Sequence, residues 1–271
     1  MNGPWEGSKE DCGGAFGGNA DELESTTLWF HPAQQHTRRT MGDPTYEGRT
    51  PSYLIANLVE RYTAPGDLVV DPFCGGGTTL DVADELGRRS RGFDLAAHAG
   101  RPAGAGGLAA RRTGPGAEAS AGARSMRIEH ADARALPVGD GEAALVFMDP
   151  PYSTHLEYSD DPRCIGKLSA FDDAYFDAMA EVFGEAERVL RPGGVLAIYV
   201  SDTFEKRRAP ADTFVGIGAE FYCMLRRRLQ PVDHVAVVRG NSKLEDAEFH
   251  AAAREGNFYL RGFNHLLIFR K

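Results

Sequence analysis

The 271-residue sequence has only four cysteines, Cys12, Cys74, Cys164 and Cys223, and no C-x-x-C pair among them. That spacing fits neither a zinc site nor a disulfide framework, so the thiols are read as reduced and no metal is expected. The eight histidines are equally scattered. No apolar run approaches the ~18 residues of a membrane span, and the first residues lack the basic and apolar regions of a secretory signal. The expected place is the cytoplasm. A basic excess is also missing: 30 Lys and Arg stand against 39 Asp and Glu, for a net charge of -9. This would argue against a nucleic-acid partner, because duplex binding relies on cations that neutralise phosphates. Much of the acidity sits in residues 1–25, however, which carry Glu6, Glu10, Asp11, Asp21, Glu22 and Glu24 against Lys9 alone. The body keeps basic clusters at Arg88-Arg89, Lys206-Arg207-Arg208 and Arg226-Arg227-Arg228, each by default a solvated face.

What is present is an alternation of short apolar runs and helical patterns. Residues 1–25, rich in Gly, Ser and acids, read as a disordered leader. Residues 26–271 read as a single domain, interrupted at about 96–125 by a low-complexity insertion in which Gly and Ala are the majority. Strands are predicted at 67–71, 91–94, 126–130, 144–148 and 194–200, with helices over 78–86 and 172–190. Such alternation predicts an α/β fold with a mostly parallel sheet. A helix near 213–229 and runs at 232–238 and 265–269 would complete it with an antiparallel hairpin, the intervening 239–264 being a polar linker.

Two motifs carry chemistry. Asp71-Pro72-Phe73-Cys74-Gly75-Gly76-Gly77-Thr78-Thr79 lies between a strand and a helix, where glycines let backbone approach a ligand and the helix start offers unpaired N–H groups. It lacks the spacing of G-x-G-x-x-G and the Lys of a P-loop, which disfavours a nucleotide polyphosphate. Alone it is as often a tight structural turn. Asp149-Pro150-Pro151-Tyr152 follows an apolar strand. Its prolines fix an extended backbone whose carbonyls accept, and a carboxylate beside such a carbonyl can take both hydrogens of an exocyclic amine. Tyr152 offers a face for a base to stack on; the bland alternative is a rigid strand exit.

Together these motifs resemble those of the DNA amino methyltransferases, whose F-x-G-x-G is matched by Phe73, Gly75 and Gly77 and whose D-P-P-Y is matched unchanged, over roughly residues 45–271. The resemblance implies a Rossmann-like S-adenosylmethionine-dependent methyltransferase fold with a seven-stranded sheet. By the same resemblance Thr50, Asp71, Thr78, Asp94 and Asp132 join the glycine loop in holding the cofactor. Thr50 would precede the helix beside its methionine end, Asp94 would take the ribose hydroxyls, and Asp132 would meet the adenine. Asp149, Pro150, Pro151 and Tyr152 become catalytic, receiving N6 of adenine or N4 of cytosine in DNA. RNA methylation, on a guanine amine of transfer RNA, and a silent nucleic-acid-binding subunit are the rival readings. No segment is patterned as a separate recognition domain, so loops 153–170, 203–213 and 239–264, or a partner, would supply specificity.

Overall fold

The computed structural model describes residues 23–31, 40–46, 48–96, 128–154, 156–204, 214–239 and 244–271. Residues 1–22 of the expected leader, 97–125 of the insertion, and the Lys206-Arg207-Arg208 cluster lie outside them.

Eight strands form one sheet in the order β1-β9-β10-β6-β5-β2-β3-β4. They are β1 (Leu28–His31), β2 (Leu68–Asp71), β3 (Arg89–Asp94), β4 (Ile128–His130), β5 (Ala143–Met148), β6 (Leu190–Val200), β9 (Gln230–Arg239) and β10 (Asn264–Arg270). The strands β7 (Thr203–Phe204) and β8 (Phe214–Val215) make a separate antiparallel pair. Within the main sheet only the β10 pairings, with β6 and β9, are antiparallel. This is the expected α/β class, and the antiparallel hairpin is where the sequence places it. The strand count is the correction: β1 pairs in parallel with β9 as an eighth strand.

β5 shows why the sheet must be covered on both sides. Val146 and Met148 face one apolar cluster, Leu145 and Phe147 the other, so the Ala-Ala-Leu-Val-Phe-Met run is buried throughout, as parallel strands are. On the first face lie α3 (Asp173–Val189) and α4 (Ile217–Leu225), through Tyr175, Met179, Val182, Phe183 and Phe221. On the second lies α1 (Ser52–Tyr62), through Leu54, Ile55, Leu58 and Val59, with Val82 and Ala83 of α2 (Thr78–Glu85). Trp29 of β1 is buried in that second cluster. Two further expectations need correction. The 239–264 linker contains a helix, α5 (Ala247–Glu255), capped where the Asp246 side chain accepts from the Glu248 amide. The strand expected at 194–200 begins at Leu190, so that β6 takes in Arg191-Pro192-Gly193-Gly194 with a register shift against β5.

Several of the arginines are used structurally. Arg88 bonds to both oxygens of Thr63 just past the end of α1, Arg91 pairs with Glu129, and Arg228 pairs with Glu187. No described helix is long and apolar enough to cross a membrane.

Candidate active site

The chain leaves β2 for β3 and β4 on one side of the sheet, then returns to β5 on the other side of β2. Between β2 and β5 the strand order therefore reverses, and at the carboxyl ends of such a pair a crevice opens. Both motifs exit there: Asp71-Pro72-Phe73 from β2 and Asp149-Pro150-Pro151 from β5.

A cavity occupies the crevice, lined by Tyr46, Phe73, Asp94, Asp132, Asp149 and Tyr158, with Pro72, Leu95, Ala131, Ala133, Pro151, Cys164 and Ile165 between them. Of the residues singled out in the sequence, Phe73, Asp94, Asp132, Asp149 and Pro151 thus meet in one wall. Thr50, Asp71, Gly75, Gly77, Thr78, Pro150 and Tyr152 stand behind it.

Those behind it hold the wall in shape. Asp71 is buried; it accepts from the Thr79 hydroxyl at 2.5 Å and from the Phe73 amide at 3.0 Å, clamping both ends of the glycine turn. Burial, with the charges of Asp149 and Asp94 nearby, pushes its carboxyl up to about 7, against the pull of those two bonds. The turn itself needs glycine at Gly75 (φ 47) and Gly77 (φ 83), which a Cβ would strain. Gly77 is the N-cap of α2 and Thr78 its first residue. Asp94 accepts from the Gly75 amide at 2.9 Å and the Ala96 amide at 2.8 Å, so one carboxylate ties the turn to the end of β3. Asp132 is chelated by the backbone amide and guanidinium of Arg134. Burial acts to raise its carboxyl, and these bonds outweigh burial and hold it below the usual range.

Around Asp149 the arrangement is tighter than the motif alone suggests. The Thr50 hydroxyl donates to Oδ2 at 2.6 Å, and the Tyr152 hydroxyl donates to Oδ1. The Tyr152 ring packs partly buried against the main core, not along the cavity. The Pro151 carbonyl accepts from Tyr175 at 2.7 Å, while no described residue donates to that of Pro150. Ser153, directly after the motif, is a non-glycine residue at φ 79, held by the Ala170 amide on its Oγ.

Tyr46 escapes the sequence reading as a site residue, and that reading takes Tyr158 only as part of the loop at 153–170 that could hold the target strand. Tyr46 lies across the glycine turn: a Cβ on Gly75 would fall 2.7 Å from its ring. The segment carrying it is fastened by the Asp43 amide on the Gly76 carbonyl and the Gly42 amide on Asp81. Burial first, then the Asp94 charge, drives its hydroxyl well above the ordinary tyrosine value. Tyr158 lies against Gly166 and Pro151, and burial with the Asp149 charge pushes it up to about 12. Neither sits in a motif.

The donor set suits an adenosine: a carboxylate at the end of β3 for two vicinal hydroxyls, a second carboxylate at Asp132, and apolar walls at Phe73 and Ile165. Among the described residues no group of three His, Cys, Asp or Glu could hold a metal ion.

The chain is similar to known proteins over part of its length. Residues 6–101 match the profile of a family described as DNA methylase. The matched segment contains Thr50, Asp71, Phe73, Gly75, Gly77, Thr78 and Asp94, and ends before Asp132 and Asp149. Among curated relatives, the Type II methyltransferase M2.DpnII of Streptococcus pneumoniae is 48% identical over 44 residues, which are 16% of each chain. The Type II methyltransferase M1.MboII of Moraxella bovis is 36% identical over 71 residues, 25% of this chain and 27% of that one. M.MjaII of Methanocaldococcus jannaschii is 34% identical over 62 residues, 23% of this chain and 12% of its own. The matches thus span about an eighth to a quarter of these relatives' lengths. Among solved structures, the MccD protein superposes with a TM-score of 0.51 at 14% identity, covering 84% of this chain and all of that one.

Proposed function

We propose that the protein is an S-adenosylmethionine-dependent DNA methyltransferase that modifies an exocyclic amine, N6 of adenine or N4 of cytosine. The observation that carries this reading is the shared cavity, with Phe73 and Asp94 on one side and Asp149 on the other, both at the reversal of the sheet. Its DNA methylase segment supports DNA as the substrate.

Phe73, Asp94 and Asp132 would hold the adenosine of the cofactor, and the glycine turn its chain. Bound there, S-adenosylmethionine would supply a sulfonium methyl for in-line transfer to nitrogen, with the neutral thioether as leaving group. Asp149 and the Pro150 carbonyl accept the two hydrogens of the target amine and so aim the nitrogen lone pair. Orientation of this kind supplies much of the rate, and the carboxylate stabilises charge developing on nitrogen and takes up the proton that must leave it. A base in a duplex is out of reach, so it enters single-stranded or flipped. Tyr158, which lines the cavity with Asp149 and Pro151, offers an aromatic wall.

For holding the strand we assign the edge next to the cavity. β6 neighbours β5, and its last residue, Val200, pairs with His265 of β10. The exits at 203–204 and 263–264 therefore follow strands that lie one and two spacings from β5, about 5 and 10 Å across the sheet. Exposed rings gather here, Phe214, Tyr259 and Phe263, with Arg261 over Phe214 at 4.9 Å. Rings beside guanidinium groups bind single strands with little sequence preference, and a partner protein would then supply discrimination among sites.

The test is nucleoside mass spectrometry after incubating unmethylated DNA and, separately, RNA with purified protein and isotope-labelled cofactor. Label in adenine or cytosine of DNA is expected. Label confined to RNA would overturn the substrate assignment.

A further inference from the structure

The resemblance gives Thr50 to the cofactor, yet its hydroxyl lies 2.6 Å from Asp149 Oδ2, across 99 residues of sequence. Thr50 is not on a free loop. Pro51 follows it as the N-cap of α1, and the next residues, Ser52, Tyr53, Leu54, Ile55 and Ala56, are all buried against the sheet. The hydroxyl is thus positioned by a packed helix. Asp149, in contrast, is half-buried at a strand exit, and the terminal torsion of an aspartate is broad and two-fold. Left to itself the carboxylate plane would rotate. With Thr50 on Oδ2 and the Tyr152 hydroxyl on Oδ1, the plane is held from both ends.

Resting on the function proposed above, we infer that Thr50 is a positioning residue for the amine acceptor: its hydroxyl fixes the Asp149 carboxylate plane so that a lone pair faces the incoming N–H. Tyr152 sits three residues from Asp149 in the same segment, whereas Thr50 refers the carboxylate to a different element.

Thr50→Val keeps the shape and removes the donor; Thr50→Ser keeps the donor. Turnover on DNA with labelled cofactor and equilibrium cofactor binding are measured for both, alongside wild type, with thermal melts to show that each variant is folded. Thr50→Val is expected to lower kcat by about 10- to 100-fold, the weight of a charge-assisted hydrogen bond at a reacting group, with cofactor Kd and DNA KM unchanged. Thr50→Ser is expected to restore most of kcat. Should Thr50→Val melt early, Thr50→Ala is the second donor-free variant. Unchanged kcat in a donor-free variant, or a loss of cofactor affinity matching the loss of turnover, overturns the positioning role while leaving the methyltransferase reading standing. A wild-type protein that binds cofactor but labels no nucleic acid overturns that reading, and this inference with it.

Discussion

Asp71 and Asp149 occupy equivalent places, each at the carboxyl end of a parallel strand and each followed by proline, yet their surroundings give them opposite duties. Asp71 is sealed in and spends its oxygens on Thr79 and Phe73. Its carboxyl is raised to about 7 by burial, so between pH 4 and 7 the folded state binds the proton that the unfolded state has released. Stability from this group is therefore lost as pH rises through that window. Asp71→Asn should flatten the decline: denaturant melts of the two proteins at pH 4.5 and 7 should diverge in slope, and parallel curves would show that Asp71 titrates normally. Asp149 faces the cavity and the reaction. Asp149→Ala should abolish methyl transfer and leave cofactor binding intact, as read by label incorporation beside equilibrium titration. At Gly75, alanine meets both φ 47 and the Tyr46 ring. Gly75→Ala should weaken cofactor affinity by about tenfold or more by deforming the turn, and undiminished affinity would detach the turn from the cofactor.

Among the elements, those that run through the crevice were the legible ones, because burial on both faces writes continuous apolar runs. β2, β5 and β6 announce themselves in Leu68-Val69-Val70, residues 143–148 and residues 195–200. The helices α2 and α3 announce themselves by period and by their flanking Gly77 and Asp172, whereas α1 is reached through the resemblance at Thr50. What escaped had a physical reason. β1 is four residues long, with Leu28 and Phe30 exposed and Trp29 buried, too short a pattern to separate from a loop. α5 buries only Ala253; its evidence is propensity, an alanine run behind an Asp246 cap, which a search for apolar period passes over. The site was legible where a motif existed and illegible where the fold alone brought residues together: Thr50 reaches Asp149, and Tyr46 covers Gly75, through tertiary contacts that no local spacing encodes. The aromatic edge beside α5 makes its own prediction. Tyr259 is 88% exposed, so Tyr259→Ala should spare stability while weakening single-stranded DNA binding by about 1–3 kcal/mol, the worth of one stacked base. Fluorescence anisotropy measures it, and wild-type affinity in the variant would move the strand elsewhere.

For the molecule as a whole, the eighth strand extends the sheet from the N-terminal side and is held largely by one residue. Trp29 is buried in the α1 face and donates its indole N–H to Thr26 at 2.8 Å. Trp29→Ala should cost about 3–5 kcal/mol, checked by denaturant unfolding; a loss under 1 kcal/mol would make β1 an ornament. The same strand bears on how this molecule avoids its own copies. β9 runs ten residues, and without a neighbour its outer side would be an open ladder of amides and carbonyls. β1 shields the stretch Ala236–Arg239. The remainder carries Pro231, which has no amide to offer, and Asp233, whose charge resists docking against an identical chain. The opposite margin, β4, is three residues long as described. Neither rim offers a growing fibril much to zip onto.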